Sequence, residues 1–155
     1  MKKTNWTELF IFVVSAELVG ALSALISGDF TEFYNEIIRP PFSPPSWIFP
    51  VVWAILYAVM GISAYKIYNS ENLCSKFALK IYFVQLAVNF SWSIVFFRFR
   101  LLSVSAVIAV LLSMLVAAMT SCFFKISRSA GFLNIPYLFW SGFAAYLAIG
   151  TALLN

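Results

Sequence analysis

Apolar residues in this chain run in long unbroken stretches, separated by short polar segments. Five stretches approach the ~20 residues an α-helix needs to cross the hydrocarbon core of a bilayer. They cover about residues 8–28, 47–68, 77–97, 102–124 and 130–154. The fifth has two candidate starts. With Asn134 as N-cap, Pro136 falls in the first turn, where its missing N–H costs little. With Ser129 as N-cap, Pro136 falls inside the helix and kinks it. No stretch alternates apolar and polar residues over ~10-residue segments, as a membrane β-barrel would. The pattern predicts an all-α integral membrane protein, a five-transmembrane-helix bundle forming one domain over 1–155.

Composition agrees. The chain is 63% apolar and 10% charged, against about 45–50% and 25% in soluble domains, so a soluble fold of 155 residues is excluded. There is no His, which removes the commonest metal ligand and physiological acid–base group. Cys74 and Cys122 stand 48 residues apart, no zinc or redox spacing. No metal site is expected.

The net charge of +4 comes from Lys and Arg between the apolar runs, so nucleic-acid binding is not expected. Lys2, Lys3, Lys66, Lys76, Lys80, Lys125 and Arg128 lie at the N-terminus and in the second and fourth connections; Arg39, Arg98 and Arg100 lie in the others. The positive-inside rule then puts the N-terminus in the cytoplasm and the first loop and C-terminus outside. A bacterial cell membrane is the expected location. Both cysteines fall on the cytoplasmic side and should be free thiols. Lys2-Lys3, an apolar run and small residues near Ala21–Ala24 also fit a signal peptide. Glu17 interrupts that apolar run, and cleavage would leave four spans, so the segment is read as the first span.

In lipid, the informative residues are the polar, aromatic and small ones. Gln85, Asn89, Trp92 and Phe96 share one helix face. Amides facing lipid would go unsatisfied at a cost of several kcal/mol, so this face points into the bundle. It serves either as interhelical glue or as the wall of a cavity. Trp47 begins the second span as an interface anchor; Trp53, Tyr57 and Gly61 then recur every four residues, with Pro50 near the first turn. In the fifth span, Pro136, Trp140, Phe143 and Leu147 form a stripe. Ser141/Ala145 and Ala144/Ala148 are small pairs that permit close helix contact.

At 1.5 Å per residue, Trp53 and Trp92 lie about 9 and 8 Å below the outer face, too deep for an interfacial belt. With Trp140 they suit a pocket for a flat aromatic ligand, or else a packed aromatic core. Glu17 lies near the middle of the first span, without an obvious basic partner. It is read either as a functional acid or as a carboxyl packed against another helix. Four prolines, Pro40, Pro41, Pro44 and Pro45, stiffen the first loop, which is a lid or a rigid connector.

The segment Phe33–Pro40, then Pro44-Pro45-Ser46-Trp47-Ile48-Phe49-Pro50-Val51-Val52-Trp53 through Tyr57 to Gly61, resembles the signature of the TspO/MBR family. That family comprises the translocator proteins, tryptophan-rich sensory proteins and peripheral-type benzodiazepine receptors. Gln85 through Ser93 with Phe96-Phe97, and Pro136-Tyr137 with Trp140, Phe143-Ala144 and Tyr146-Leu147, resemble its third and fifth helices. The resemblance implies a five-helix bundle, often a homodimer, with a pocket under the first loop. It also implies binding of porphyrins, notably protoporphyrin IX, and in some bacterial members light-dependent porphyrin breakdown. Trp53 and Trp140 match the tryptophans tied to that chemistry; Tyr34, Asn89, Trp92 and Ala144 match other pocket positions. Phe33 and Phe42 stand where many members carry Trp, so no indole occupies those loop positions. No basic residue follows Tyr146, so the family's sterol motif is absent. Lys80-Ile81-Tyr82-Phe83-Val84 fits only the reversed, weaker pattern.

The leading expectation is therefore a membrane receptor or sensor for a metal-free tetrapyrrole, with lipid as its surroundings and no tightly bound cofactor. Without His, haem lacks its usual proximal ligand. The candidate binding residues are Tyr34, Arg39, Pro44, Trp53, Tyr57, Gln85, Asn89, Trp92, Phe96, Trp140, Phe143, Ala144 and Leu147, with Arg39 or the loop backbone meeting propionates. Trp53 and Trp140 are the candidate photochemical residues. The alternatives are a transporter or carrier of porphyrins, sterols or other lipophiles, and a structural partner without a small ligand. No conventional acid–base pair, nucleophile or metal cluster suggests an ordinary enzyme.

Overall fold

A computed structural model describes residues 4–28 and 30–155. Lys2 and Lys3, used above for orientation, lie outside the described residues, as do Met1 and Asp29. The helices are α1 (Trp6–Ser27), α2 (Phe30–Glu36), α3 (Ile48–Tyr68), α4 (Ser75–Ser93), α5 (Leu102–Ile126), α6 (Arg128–Leu133) and α7 (Ile135–Leu154). No strand occurs among the described residues. Five helical segments are long and apolar enough to cross a membrane: Trp6–Ser27, Ile48–Tyr68, Ser75–Arg98, Leu102–Ile126 and Arg128–Leu154. The protein is an integral membrane helical bundle, and the expected spans coincide with the observed ones to within about two residues.

The ends follow local chemistry. The Asn5 side chain accepts from the backbone N–H of Thr7 at 3.2 Å and of Glu8 at 3.4 Å, capping α1. α1 stops at Gly28, whose φ of 80° favours glycine. α4 continues into a π-helical turn, Ile94–Arg98, where the Phe99 N–H donates to the Ile94 carbonyl at 3.1 Å. The fifth span does not start at Ser129: Ser127 caps α6, which takes in Ser129, because the Ser127 hydroxyl accepts from the Ala130 N–H. Asn134 is the joint to α7, with Pro136 in the first turn. Asn134 does not cap α7 with its side chain. Its amide donates instead to Ser63 Oγ and to the Ala130 carbonyl, tying the joint to α3.

The core has two parts. The larger gathers Met60, Ala64, Tyr82, Val116, Met119, Phe123 and Tyr137 from α3, α4, α5 and α7. The smaller, toward α2, packs Phe33, Trp92 and Phe96 against Ala106, Ala109, Ala145 and Ala148. The small residues Ser141, Ala145 and Ala148 are buried, and Ser113 Oγ donates to the Ser141 carbonyl at 2.8 Å, so this stripe serves the α5–α7 contact within one chain. α1 is the least enclosed span, burying only Ala16, Ser23 and Ser27. It leans on α3 at Gly61, where a Cβ would lie 2.6 Å from the Val13 Cα.

The first loop contains a helix, α2, which the hydropathy pattern does not predict. The proline segment after it is docked. Pro40 is buried, and a Cβ on Gly150 would lie 2.6 Å from its ring. Tyr146 Oη donates to the Pro41 carbonyl at 3.0 Å. The Asn155 amide and the Ile38 backbone exchange two hydrogen bonds, 3.0 and 2.9 Å.

Candidate functional site

A cavity of about 270 Å³ lies between α1, α3 and α4, near the lower end of ligand pockets of about 300–1,000 Å³. Its two walls differ in character. α1 contributes Glu17 and then only small residues, Gly20, Ala21, Ser23, Ala24 and Ser27. The facing wall is aromatic: Phe49, Trp53 and Tyr57 from α3, Trp92 from α4 and Phe97 from the π-helical turn, with Asn89 beside them. Trp53 and Tyr57 lie with ring centroids 5.6 Å apart. α1 is held against α4 by Ser23 Oγ, 2.6 Å from Ser93 Oγ and 3.4 Å from the Phe90 carbonyl.

Behind the aromatic wall runs a buried polar chain. Tyr57 Oη donates to Asn89 Oδ1 at 3.2 Å; the Asn89 amide donates to Tyr137 Oη at 3.0 Å; Tyr137 Oη donates to Gln85 Oε1 at 2.6 Å. Gln85 Nε2 meets Met60 Sδ at 3.7 Å. Gln85 is fully buried and does not border the cavity, so it acts as glue between helices. Asn89 does both jobs, bordering the cavity and joining α3 to α7 through two tyrosines. Trp92 Nε1 is buried without a hydrogen-bond partner.

The structure brings together Trp53, Tyr57, Asn89 and Trp92. Phe96 points the other way, stacking on Trp92 at 5.5 Å and meeting Phe33 at 5.9 Å. Trp140 and Phe143 lie apart, on a shallow groove of about 380 Å³ with Val52, Ile55, Leu56, Pro136 and Phe139. Phe49 stands between that groove and the cavity, 6.0 Å from Trp140 by ring centroids. Leu147 is buried and Ala144 half-buried on α7; neither borders the cavity. Tyr34 packs on Phe49 at 5.2 Å and donates to the Pro44 carbonyl at 2.7 Å. The Arg39 guanidinium lies over the Tyr34 ring at 5.0 Å and forms no ion pair among the described residues. Arg39, Tyr34 and Phe49 thus form a layer at the α2 end of the cavity, with Pro44 holding Tyr34.

Periodicity within single helices missed Tyr137 as the hub of the polar chain, and the small-residue wall of α1. A phenol inside an apolar span was the available sign of the first. The spacing of Gly20, Ala21, Ser23, Ala24 and Ser27 was that of the second. Among the described residues no cluster of potential metal ligands occurs.

A five-span helical bundle with an aromatic-walled cavity between its helices defines a class: a polytopic membrane protein with an intramembrane pocket. The pattern of the TspO/MBR family matches residues 10–154. The chain is 31% identical over 151 residues to a tryptophan-rich sensory protein of Cereibacter sphaeroides, covering 97% of this chain and 93% of that protein. It is 31% identical over 151 residues to the protein CrtK of Rhodobacter capsulatus, covering 96% and 93%. It is 33% identical over 146 residues to the translocator protein of Bos taurus, covering 92% and 86%. The chain belongs to the TspO/MBR family.

Proposed function

We propose that the protein is a membrane receptor or sensor for a flat tetrapyrrole of the protoporphyrin IX type, bound edge-on in the cavity between α1 and the aromatic wall. The observation that carries this reading is the slot itself, small residues on one side and Trp53, Tyr57 and Trp92 on the other. A planar ring fits such a slot by stacking, and stacked rings gain about 0.5–1.5 kcal/mol beyond burial. The slot is smaller than a macrocycle, so part of the ring lies beyond its mouth, with propionates toward Arg39. The same reading places the N-terminus in the cytoplasm and the α2 loop outside, by the Lys and Arg distribution. Trp53 is the indole beside the bound ring, and light-dependent breakdown of the porphyrin by oxygen would depend on it more than on Trp140, which stands behind Phe49.

Titration of lipid nanodiscs with protoporphyrin IX in the dark tests the binding. Saturable tryptophan quenching is expected beyond that of discs carrying an unrelated membrane protein. Trp53→Phe should weaken the apparent affinity about 2- to 10-fold. An equal response from both proteins would remove the cavity from the account. Aerobic illumination of the same samples extends the test: products formed equally by wild type and Trp53→Phe would leave a binder without photochemistry.

A further inference from the structure

Stacking of a flat ring explains the aromatic wall but not the acid on the facing one. Counting 1.5 Å per residue, Glu17 lies about 15 Å inward of Ser27 on α1. Tyr57 lies about 12 Å inward of Phe49, and Asn89 stands beside it, its Oδ1 accepting from Tyr57 Oη at 3.2 Å. The three share one depth and make a polar floor under apolar walls. The contact of Gly20 with the Tyr57 ring, where a Cβ would lie 2.3 Å from Cε2, fixes this register between α1 and α3.

No Lys or Arg borders the cavity, and Glu17 forms no ion pair among the described residues. A carboxyl used only for packing would sit in a closed seam. This one borders open volume and is only partly buried. Opposite it stand the Trp53 and Tyr57 rings, whose faces attract cations. A carboxyl, anionic once it pairs with a cation, and two electron-rich rings thus converge on the same space, and both favour positive charge there. A metal ion is a poor match, since a single carboxylate offers too few oxygens and no ligand cluster exists among the described residues.

We infer that Glu17 is the recognition group for a basic nitrogen: the cavity takes lipophilic planar ligands that carry a protonated amine, inserted with the nitrogen at the floor. This inference rests on the reading of the cavity as a ligand site, and it adds the chemistry of the ligand's buried end. An anionic end is excluded from the floor and belongs near Arg39.

The test compares two probes of similar shape in nanodiscs: 9-aminoacridine, protonated at neutral pH, and acridine, largely uncharged there. Wild type should bind 9-aminoacridine about 10- to 100-fold more tightly than acridine, once partition into discs carrying an unrelated membrane protein is subtracted. Glu17→Gln should abolish that preference, and Glu17→Asp should retain part of it. A preference that survives Glu17→Gln, or its absence in wild type, overturns the inference. A measurement on the wild type alone guards against a misfolded variant. A lipophilic carbodiimide forms an adduct with Glu17, detected by mass spectrometry, and 9-aminoacridine should slow that reaction where acridine does not. Equal rates with both probes also overturn the inference. Protoporphyrin IX quenching, read separately, reports on the tetrapyrrole assignment: its loss with amine selectivity intact would sink that assignment alone.

Discussion

Tyr137 shows how much one hydroxyl carries in a lipid-embedded core. It receives from Asn89 and donates to Gln85, so two buried polar groups depend on it. Tyr137→Phe keeps the ring and removes the junction, leaving the Gln85 oxygen and one Asn89 donor without partners. The expected cost is about 1–3 kcal/mol, read as a lower unfolding temperature in detergent. Tyr137 does not border the cavity, so ligand affinity should change less than for Asn89→Leu, which removes a cavity group as well. A Tyr137→Phe protein as stable as wild type would mean that the chain of bonds contributes little. At this scale the sequence was only half legible. Burial of Gln85 and Asn89 on one face followed from helical spacing and the cost of bare amides in lipid. Their partner did not, because spacing within a helix says which side faces inward and not which neighbour waits there.

Among the helices, the pairing of α1 with α3 decides the shape of the cavity. Gly61 lets the two backbones approach, and an added Cβ would press on the Val13 backbone, which cannot rotate away. Gly61→Ala should therefore displace α1, costing about 1–3 kcal/mol and loosening ligand binding by moving one wall. Gly142 has open space around its missing Cβ. Gly142→Ala should be neutral or stabilising by up to about 1 kcal/mol through helix propensity. Equal thermal shifts in the two variants would show that backbone approach is not what Gly61 provides. The five spans were readable because hydrocarbon thickness sets their length and composition. α2 was not, since seven residues of mixed polarity inside a loop carry no periodic signal. Nor was the split of the aromatic residues into a cavity and a separate groove. Trp53 and Trp140 look alike in sequence; the interposed Phe49 ring separates them, and that depends on how α3 and α7 pack.

For the whole molecule, the open question of direction across the membrane has a direct handle. Cys74 is exposed in the connection between α3 and α4, whereas Cys122 is half-buried on α5. With the N-terminus in the cytoplasm, a membrane-impermeant maleimide should leave Cys74 unmodified in intact spheroplasts and label it once the membrane is opened. A Cys122→Ser background makes the signal unambiguous. Labelling of intact spheroplasts would reverse the orientation, and with it the side from which Arg39 meets a ligand. The bundle is also unevenly built. α3, α4, α5 and α7 share one continuous core, which α1 joins mainly through Ala16, with Phe12 and Val19 packed beside it. α1 is further fastened at Gly61, by Ser23 and by its cap, with the Asn5 N–H reaching Tyr65 Oη at 2.7 Å. The cavity lies along that boundary.

The π-helical turn at Ile94–Arg98 accommodates one residue more than an α-helical turn would. Deleting a single residue just before it, with the π-turn kept, would rotate everything beyond the deletion by about 100°. Phe97 would leave the cavity rim, and Arg100 would swing away from the Phe33 ring and from Glu36, which it now reaches at 4.7 and 3.5 Å. The rim is thus encoded partly in chain length. A library of point substitutions would sample it poorly, and insertions and deletions across five positions are the variants that would reshape it.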